Sequence, residues 1–237
     1  MWLLALAAGF VIAVAYQQLS KIEVGPQSGN VVAVTANIAR DGTAAALTRL
    51  YAVVAFVFGI AAAIAIAEEG ARRQARRVLA VTIGVETVLL IGFTLWLAHF
   101  THGTTVRVPS HWQLDGIVVL AAFALGLQTG ALRRVGGQTA RTVYISGMLT
   151  RVAEESVRLV YWRRDRARGN TVSPWFNEPT LRHVMLLGGI IGAYAVGALA
   201  GSWSNDQWGP VALLAPIVLL AGVALLDAVV APGPPSR

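Results

Sequence analysis

Six long apolar runs alternate with polar or arginine-rich segments along the chain. A run of about 20 apolar residues is long enough to cross the hydrocarbon core of a bilayer as an α-helix. Because lipid-facing as well as buried positions are then apolar, the pattern predicts an all-α membrane protein of about six transmembrane helices. The runs are Met1–Tyr16, Tyr51–Ala67, Val78–Phe100, Leu114–Leu132, Val184–Gly201 and Val211–Ala231.

The composition supports this interpretation. Hydrophobic residues make up 56% of the 237 residues, and only 13% are charged, about half the share in a typical soluble domain. The chain contains no cysteine, which excludes disulfides and thiolate chemistry. Ala13-Val14-Ala15 resembles a signal-peptide cleavage site, but no positive segment precedes the first run, so we interpret that run as a span.

The distribution of arginine predicts an orientation. Basic residues cluster between spans two and three and between spans four and five, whereas the opposite side carries only Lys21, Arg40, Arg49 and Arg107. Positive residues favour the cytoplasmic side of a membrane. We therefore expect a multi-pass membrane protein with both termini and both basic loops in the cytoplasm.

The second basic loop contains a segment with helical periodicity, Ile145–Trp162. Its charged face offers two ion pairs at i,i+4 spacing, Arg151 with Glu155 and Glu154 with Arg158. This pattern predicts an amphipathic helix at the cytoplasmic face of the membrane. Four arginines that follow it are expected to contact anionic lipid rather than nucleic acid: Arg163, Arg164, Arg166 and Arg168.

A faint internal repeat relates Leu3–Asn30 to Leu120–Met148. In each copy a glycine-bearing span is followed by a Ser-Gly pair, Ser28-Gly29 and Ser146-Gly147. A repeat of three spans inserts its second copy upside down, which is the inverted-repeat plan of many transporters and channels. The expected halves are residues 1–112 and 113–231, followed by a short tail at 232–237. The Ser-Gly segments would then approach a central site from opposite sides of the membrane.

These motifs resemble the YoaK family of bacterial membrane proteins, also called DUF1275 or UPF0700. The family pattern appears here as Ser28-Gly29-Asn30, Gly126-Leu127-Gln128, Arg133-Arg134 and Ser146-Gly147-Met148-Leu149-Thr150-Arg151, together with Glu86 in the third span. Ile12 and Thr129 replace polar residues that the family often carries. The resemblance implies the fold and a location in the bacterial inner membrane, whereas the function of the family is uncharacterised.

Two polar residues fall in the middle of apolar spans. A carboxyl group such as that of Glu86 is costly to bury in hydrocarbon, so the residue is either a proton or cation site or a neutral acid bonded to a neighbouring helix. The Gln128 amide is expected to bond across helices. Ser28 and Asn30 are good helix N-caps, and such a helix start either lies at the outer surface or faces an anion.

Small residues four apart predict close helix packing within the bundle or, alternatively, a homodimer interface. Six spans per protomer is small for a transporter, so we expect a homodimer or a higher oligomer. The pairs are Gly126 with Gly130, Gly188 with Gly192, and Gly197 with Gly201.

No catalytic, cofactor or nucleotide motif occurs in the chain, so we expect neither an enzyme nor a cofactor. The histidines His99, His102 and His111 lack a carboxylate at metal-site spacing. The favoured function is a small secondary transporter or channel, with a non-transporting scaffold or accessory subunit that binds lipid or a partner as the alternative, and a lipid-modifying enzyme as a third. The expected substrate or ion pathway comprises Ser28, Gly29, Asn30, Glu86, Gln128, Ser146, Gly147, Thr150 and Arg151.

Overall fold

The structure, a computed structural model, describes residues 1–40, 42–75, 77–101, 111–132, 145–168 and 179–230. These residues form eight α-helices and one short 3-10 helix, Gly209–Leu213. The all-helical prediction is confirmed for this part of the chain. The helices are α1 (Trp2–Gln18), α2 (Ser28–Ile38), α3 (Thr43–Arg72), α4 (Val78–Thr101), α5 (His111–Leu132), α6 (Ile145–Ala167), α7 (Pro179–Trp208) and α8 (Leu214–Val230).

Four stretches of the described chain are long and apolar enough to cross a membrane. The last of them, Val184–Val229, includes α7, the 3-10 turn and α8, while α1 is a shorter apolar helix of 17 residues. The number of six crossings therefore stays a prediction. Several helices are longer than the apolar runs, because polar residues that flank the runs are also helical, as at Thr43 and Arg72 of α3.

Helix α1 packs lengthwise against α7. From one contact to the next, the residue numbers increase in both helices, so α1 and α7 run parallel. The close approaches are made possible by glycines, since a side chain at any of them would meet the neighbouring helix. The contacts in order are Trp2 with Gly189, Leu6 with Gly197, Phe10 with Gly201, and Gln18 with Asn205.

Helix α3 packs against α5 in the same manner. These two helices are also parallel, and the Thr48 hydroxyl donates to the Asp115 carboxylate over 2.6 Å near the start of both. The contacts in order are Thr48 with Asp115, Gly59 with Gly126, and Ile60 with Gly130.

The two crossings share one geometry. A Cβ atom on Gly126 would collide with the carbonyl oxygen of Phe56, which lies three residues before Gly59, and a Cβ on Gly59 would collide with the carbonyl of Phe123, three residues before Gly126. The α1–α7 crossing repeats this relation: Gly9 faces the carbonyl of Tyr194, three residues before Gly197, and Gly197 faces that of Leu6, three residues before Gly9.

Helix α4 runs antiparallel to α5 and α8 and, with α1 and α5, supplies most of the largest buried apolar cluster. The carboxylate of Asp227 near the end of α8 accepts a hydrogen bond of 3.0 Å from the Ala80 amide at the start of α4. Gln128 near the end of α5 contacts Leu4 near the start of α1, so these two helices are antiparallel as well. The α4–α5 contacts are Gly92 with Leu120 and Trp96 with Gly116.

The glycine pairs have different surroundings. Gly126 with Gly130 and Gly197 with Gly201 pack inside the bundle, as one of the two interpretations predicts. A Cβ at Gly188 or Gly192 would meet no described atom within 4 Å. A role of this pair in a homodimer stays a prediction.

The α3–α5 crossing predicts a sharp difference between two glycines. Gly126→Ala places a methyl group against backbone atoms that cannot move aside, and it is expected to lower the free energy of unfolding by about 1–3 kcal/mol. Gly84→Ala on α4 meets open space, and its better helix propensity should leave stability unchanged or raise it by up to about 1 kcal/mol. Unfolding in detergent micelles measures both, and equal stabilities would contradict the packing described here.

Candidate functional site

Asn30 is the centre of a buried polar cluster at the start of α2. Its side chain is fully buried, and both ends of its amide are engaged. The amide nitrogen donates to the Glu23 carbonyl and, over 2.8 Å, to the Gln27 side-chain oxygen. The amide oxygen accepts from the Glu23 backbone N–H and from the Arg49 guanidinium, each over 3.2 Å. All hydrogen-bonding positions of this amide are thus used, and the cluster ties the segment before α2 to α3.

The N-terminus of α2 is satisfied by Glu23. The helix begins at Ser28, as its capping potential suggested, but Gln27 occupies the cap position without a side-chain cap bond. The carboxylate of Glu23 instead accepts the Gly29 N–H over 3.1 Å. The prediction that Ser28 or Asn30 caps the helix was therefore wrong, because the chain before α2 folds back and brings a carboxylate to the positive end of the helix. An anion at this end would compete with Glu23.

Glu86 is buried at 1% exposure in α4. Neither of its side-chain oxygens has a hydrogen-bond partner among the described residues. The neighbouring Thr82 hydroxyl donates to the Val78 carbonyl one turn earlier in the same helix. A bond to a neighbouring helix, which is one of the two interpretations of Glu86, does not form within the described part of the chain.

Gln128 is the second buried polar side chain of the interior. Its amide nitrogen donates to the Leu4 carbonyl of α1 over 3.3 Å, which confirms the predicted bond between helices. Its amide oxygen, like the oxygens of Glu86, has no partner among the residues described. Gly92 of α4 lies against Leu120 of α5. Because the two helices are antiparallel, Glu86, six residues before Gly92, is level with Gly126, six residues after Leu120. The two under-bonded side chains therefore lie at similar depth in the bundle.

The second Ser-Gly segment lies in the first turn of α6. Met148 is buried against Ala5 of α1 and Leu187 of α7, at the end of the bundle where α1 and α7 begin. The Asn30 cluster follows the other end of α1. The described contacts thus put the two segments near opposite ends of α1, and none of them joins one segment to the other.

The rest of α6 matches the predicted amphipathic helix. It packs against α7, and its Thr150, Arg151, Arg163, Arg164 and Arg168 side chains are exposed. The predicted pairing of Arg158 with Glu154 was wrong: Arg158 pairs with Glu155 three residues earlier, at 3.4 Å. Several predicted positions lie outside what the structure describes: His102, Arg133, Arg134, the tail at 232–237, and the side chains of Ser146 and Arg166.

Sequence reasoning missed Glu23, Gln27 and Arg49 as members of the cluster. Glu23 and Gln27 stand in an irregular segment without a motif, and Arg49 appeared only as one of few basic residues on its side of the membrane. The one available indication was the clustering of charged and amide residues just before Ser28. Their convergence depends on the reversal of the chain between α1 and α2, which no periodic pattern predicts.

Apolar helices packed side by side around a few buried polar groups define this chain as an α-helical membrane protein. The sequence profile of DUF1275, a protein family of unknown function, matches residues 1–226. The chain belongs to this family.

The match to a curated relative supports the same assignment. The chain is similar to the UPF0700 transmembrane protein YoaK of Bacillus subtilis (strain 168), with 20% identity over 223 residues that cover 94% of this chain and 90% of the relative. No solved structure matches the chain.

The Asn30 cluster makes a stability prediction. Asn30→Ala removes a full set of hydrogen bonds and leaves buried partners unsatisfied, so we expect the free energy of unfolding to fall by about 2–3 kcal/mol. Thr35→Ala on the exposed side of the same helix removes only a bond to Val32 within the turn and should change it by less than about 0.5 kcal/mol. Unfolding in detergent tests both, and an Asn30→Ala protein as stable as Thr35→Ala would refute the structural role of the cluster.

Proposed function

We propose that this protein is a small secondary transporter or channel, in which a solute or ion crosses the membrane past Glu86 and Gln128. The observation that carries the proposal is the pair of under-bonded polar side chains at one depth of an otherwise apolar bundle. A charged side chain at the centre of a membrane helix costs about 2.5–3.5 kcal/mol on insertion scales. A purely structural role for Glu86 would require hydrogen bonds to offset that cost, and the described residues supply none.

We further propose that residues 1–112 and 113–231 are inverted repeats, each with three membrane crossings. The proposal matches α1 with α5, α2 with α6, α3 with α7, and α4 with α8. It is supported by the helix contacts: α1–α7 and α3–α5 become equivalent pairs, and so do α2–α3 and α6–α7.

Individual residues agree with this correspondence. The Gly9–Gly197 crossing matches the Gly126–Gly59 crossing in its contacts to backbone carbonyls. The polar contact between Asn30 and Arg49 in the first half corresponds to the apolar contact between Met148 and Leu187 in the second half. Two halves related in this way can rock against each other around a fixed site, which is the basis of alternating access.

The exposed face of α6 favours a second candidate function, that of a scaffold or accessory subunit. Val157, Val160 and Tyr161 are more than half exposed on this charged helix. Such a surface suits the boundary between lipid and water, or a partner protein. Arg163, Arg164, Arg166 and Arg168 would then hold anionic lipid.

Transport is tested with the protein reconstituted in liposomes on a solid-supported membrane, by recording transient currents on addition of inorganic cations, carboxylates and amino acids at pH 6 and pH 8. We expect the wild type to respond to at least one class with a pH-dependent amplitude. Glu86→Gln should abolish the pH dependence, because the side chain can no longer exchange a proton. Glu154→Gln on the exposed face of α6 is the matched control. A Glu86→Gln protein with full, equally pH-dependent currents would remove Glu86 from the mechanism.

The proposed orientation, with both termini in the cytoplasm of the bacterial inner membrane, is tested by cysteine labelling. The chain has no native cysteine, so a single introduced thiol reports one position. Ala75 and Gln207 are exposed at opposite ends of the bundle. In intact spheroplasts, a membrane-impermeant maleimide should label Gln207→Cys at once, but Ala75→Cys only after the membrane is permeabilised. The reverse pattern would invert the orientation, and equal labelling would contradict the number of crossings.

A further inference from the structure

The end of α3 and the start of α4 line a cleft. Its volume is about 810 Å³. The walls are mostly apolar and include Ala65, Ile66 and Val81, while Glu69, Arg73 and Arg77 stand at the rim. Gly70 is buried at the narrow end, where a Cβ would collide with Val78.

The charge at the rim is positive. Glu69 pairs with Arg73 at 2.6 Å in a strongly exposed contact, which is worth little on its own. Arg77 adds a second guanidinium, and Arg72 lies exposed in the last turn of α3. The lining of the cleft thus contains one carboxylate and two guanidinium groups, so its net charge is positive.

The expected position of the cleft in the membrane limits which kind of molecule can bind in it. Both helices are among the stretches able to cross a bilayer, so their joined ends lie at the boundary between hydrocarbon and water. An apolar cleft that opens at this level is filled by a lipid chain in preference to a soluble molecule. Guanidinium groups bind phosphate through paired, charge-assisted hydrogen bonds.

We propose that this cleft binds an anionic phospholipid of the adjoining leaflet, with its phosphate at Arg73 and Arg77 and an acyl chain along Ala65, Ile66 and Val81. The site is distinct from the arginines that follow α6. Lipid binding in this cleft requires only that the protein is inserted in a membrane, and it is independent of the proposed transport function.

The test is native mass spectrometry of the full-length protein in detergent, titrated with phosphatidylglycerol or phosphatidylcholine of identical acyl chains. The wild type is expected to hold phosphatidylglycerol at least tenfold more tightly. An Arg73→Gln, Arg77→Gln double variant should lose most of this preference, since one basic residue near a membrane surface contributes about fivefold in affinity. Lys21→Gln, Arg40→Gln is the matched control, since it removes two exposed basic residues at the other end of the bundle, and it should keep the preference. An Arg163→Gln, Arg164→Gln variant is compared with it, because these arginines of α6 are also expected to meet anionic lipid.

A second pair of variants tests the apolar part of the cleft. Val81 and Val88 are both exposed on α4, but only Val81 lines the cleft. Val81→Trp fills the cleft and should weaken both lipids, whereas Val88→Trp should weaken neither. Equal binding of the two lipids by the wild type would overturn the proposal. So would a preference that survives in the Arg73, Arg77 variant and disappears in the Arg163, Arg164 variant, which would assign the lipid to α6.

Discussion

The close approach of helix backbones at glycine is the constraint on which this structure depends. Within a bilayer, lipid tails are as apolar as leucine side chains, so burial of apolar surface does little to hold helices together. Attraction between helices then rests on van der Waals contact, which is strongest where backbones touch. Gly59 and Gly126 permit this contact between α3 and α5, and Gly9 and Gly197 permit it between α1 and α7. The remaining helices are arranged around these two pairs.

The tight crossings also determine where polar groups can be accommodated. The buried threonines Thr82, Thr87, Thr94 and Thr129 donate to carbonyls one turn earlier in their own helices, so they need no partner elsewhere. Asn30 obtains its partners from an irregular segment and from α3. Glu86 has neither kind of partner in the part of the chain that the structure describes. The contrast between satisfied hydroxyl groups and an unsatisfied acid in the same interior is the reason to look for function at Glu86.

Much of the fold was predictable because its elements are local. Long apolar runs gave helices, the 3.6-residue period of the Ile145 segment gave α6, and Gln128 formed the expected bond between helices. Which helices pack against each other was not predictable, because small residues four apart indicate a close helix contact without identifying the neighbouring helix. Gly188 with Gly192 has the same spacing as Gly197 with Gly201, yet within the described ranges only the second pair meets another helix. The Glu23 cap was missed for a related reason: it needs a chain reversal between α1 and α2 that depends on tertiary contacts.

The helices of this bundle differ widely in length. Helices α1 and α8 each have 17 residues, whereas α3 and α7 each have 30. At 1.5 Å per residue, this is a difference of roughly 20 Å between neighbours. Polar residues at the ends of α3 and α7 account for most of it, so these two helices extend beyond the apolar layer. A thinner or thicker bilayer changes how many of these end residues stand in water and how far the helices tilt. The thickness of the host membrane therefore acts on this protein as a mechanical variable, set by the lipid and not by any ligand.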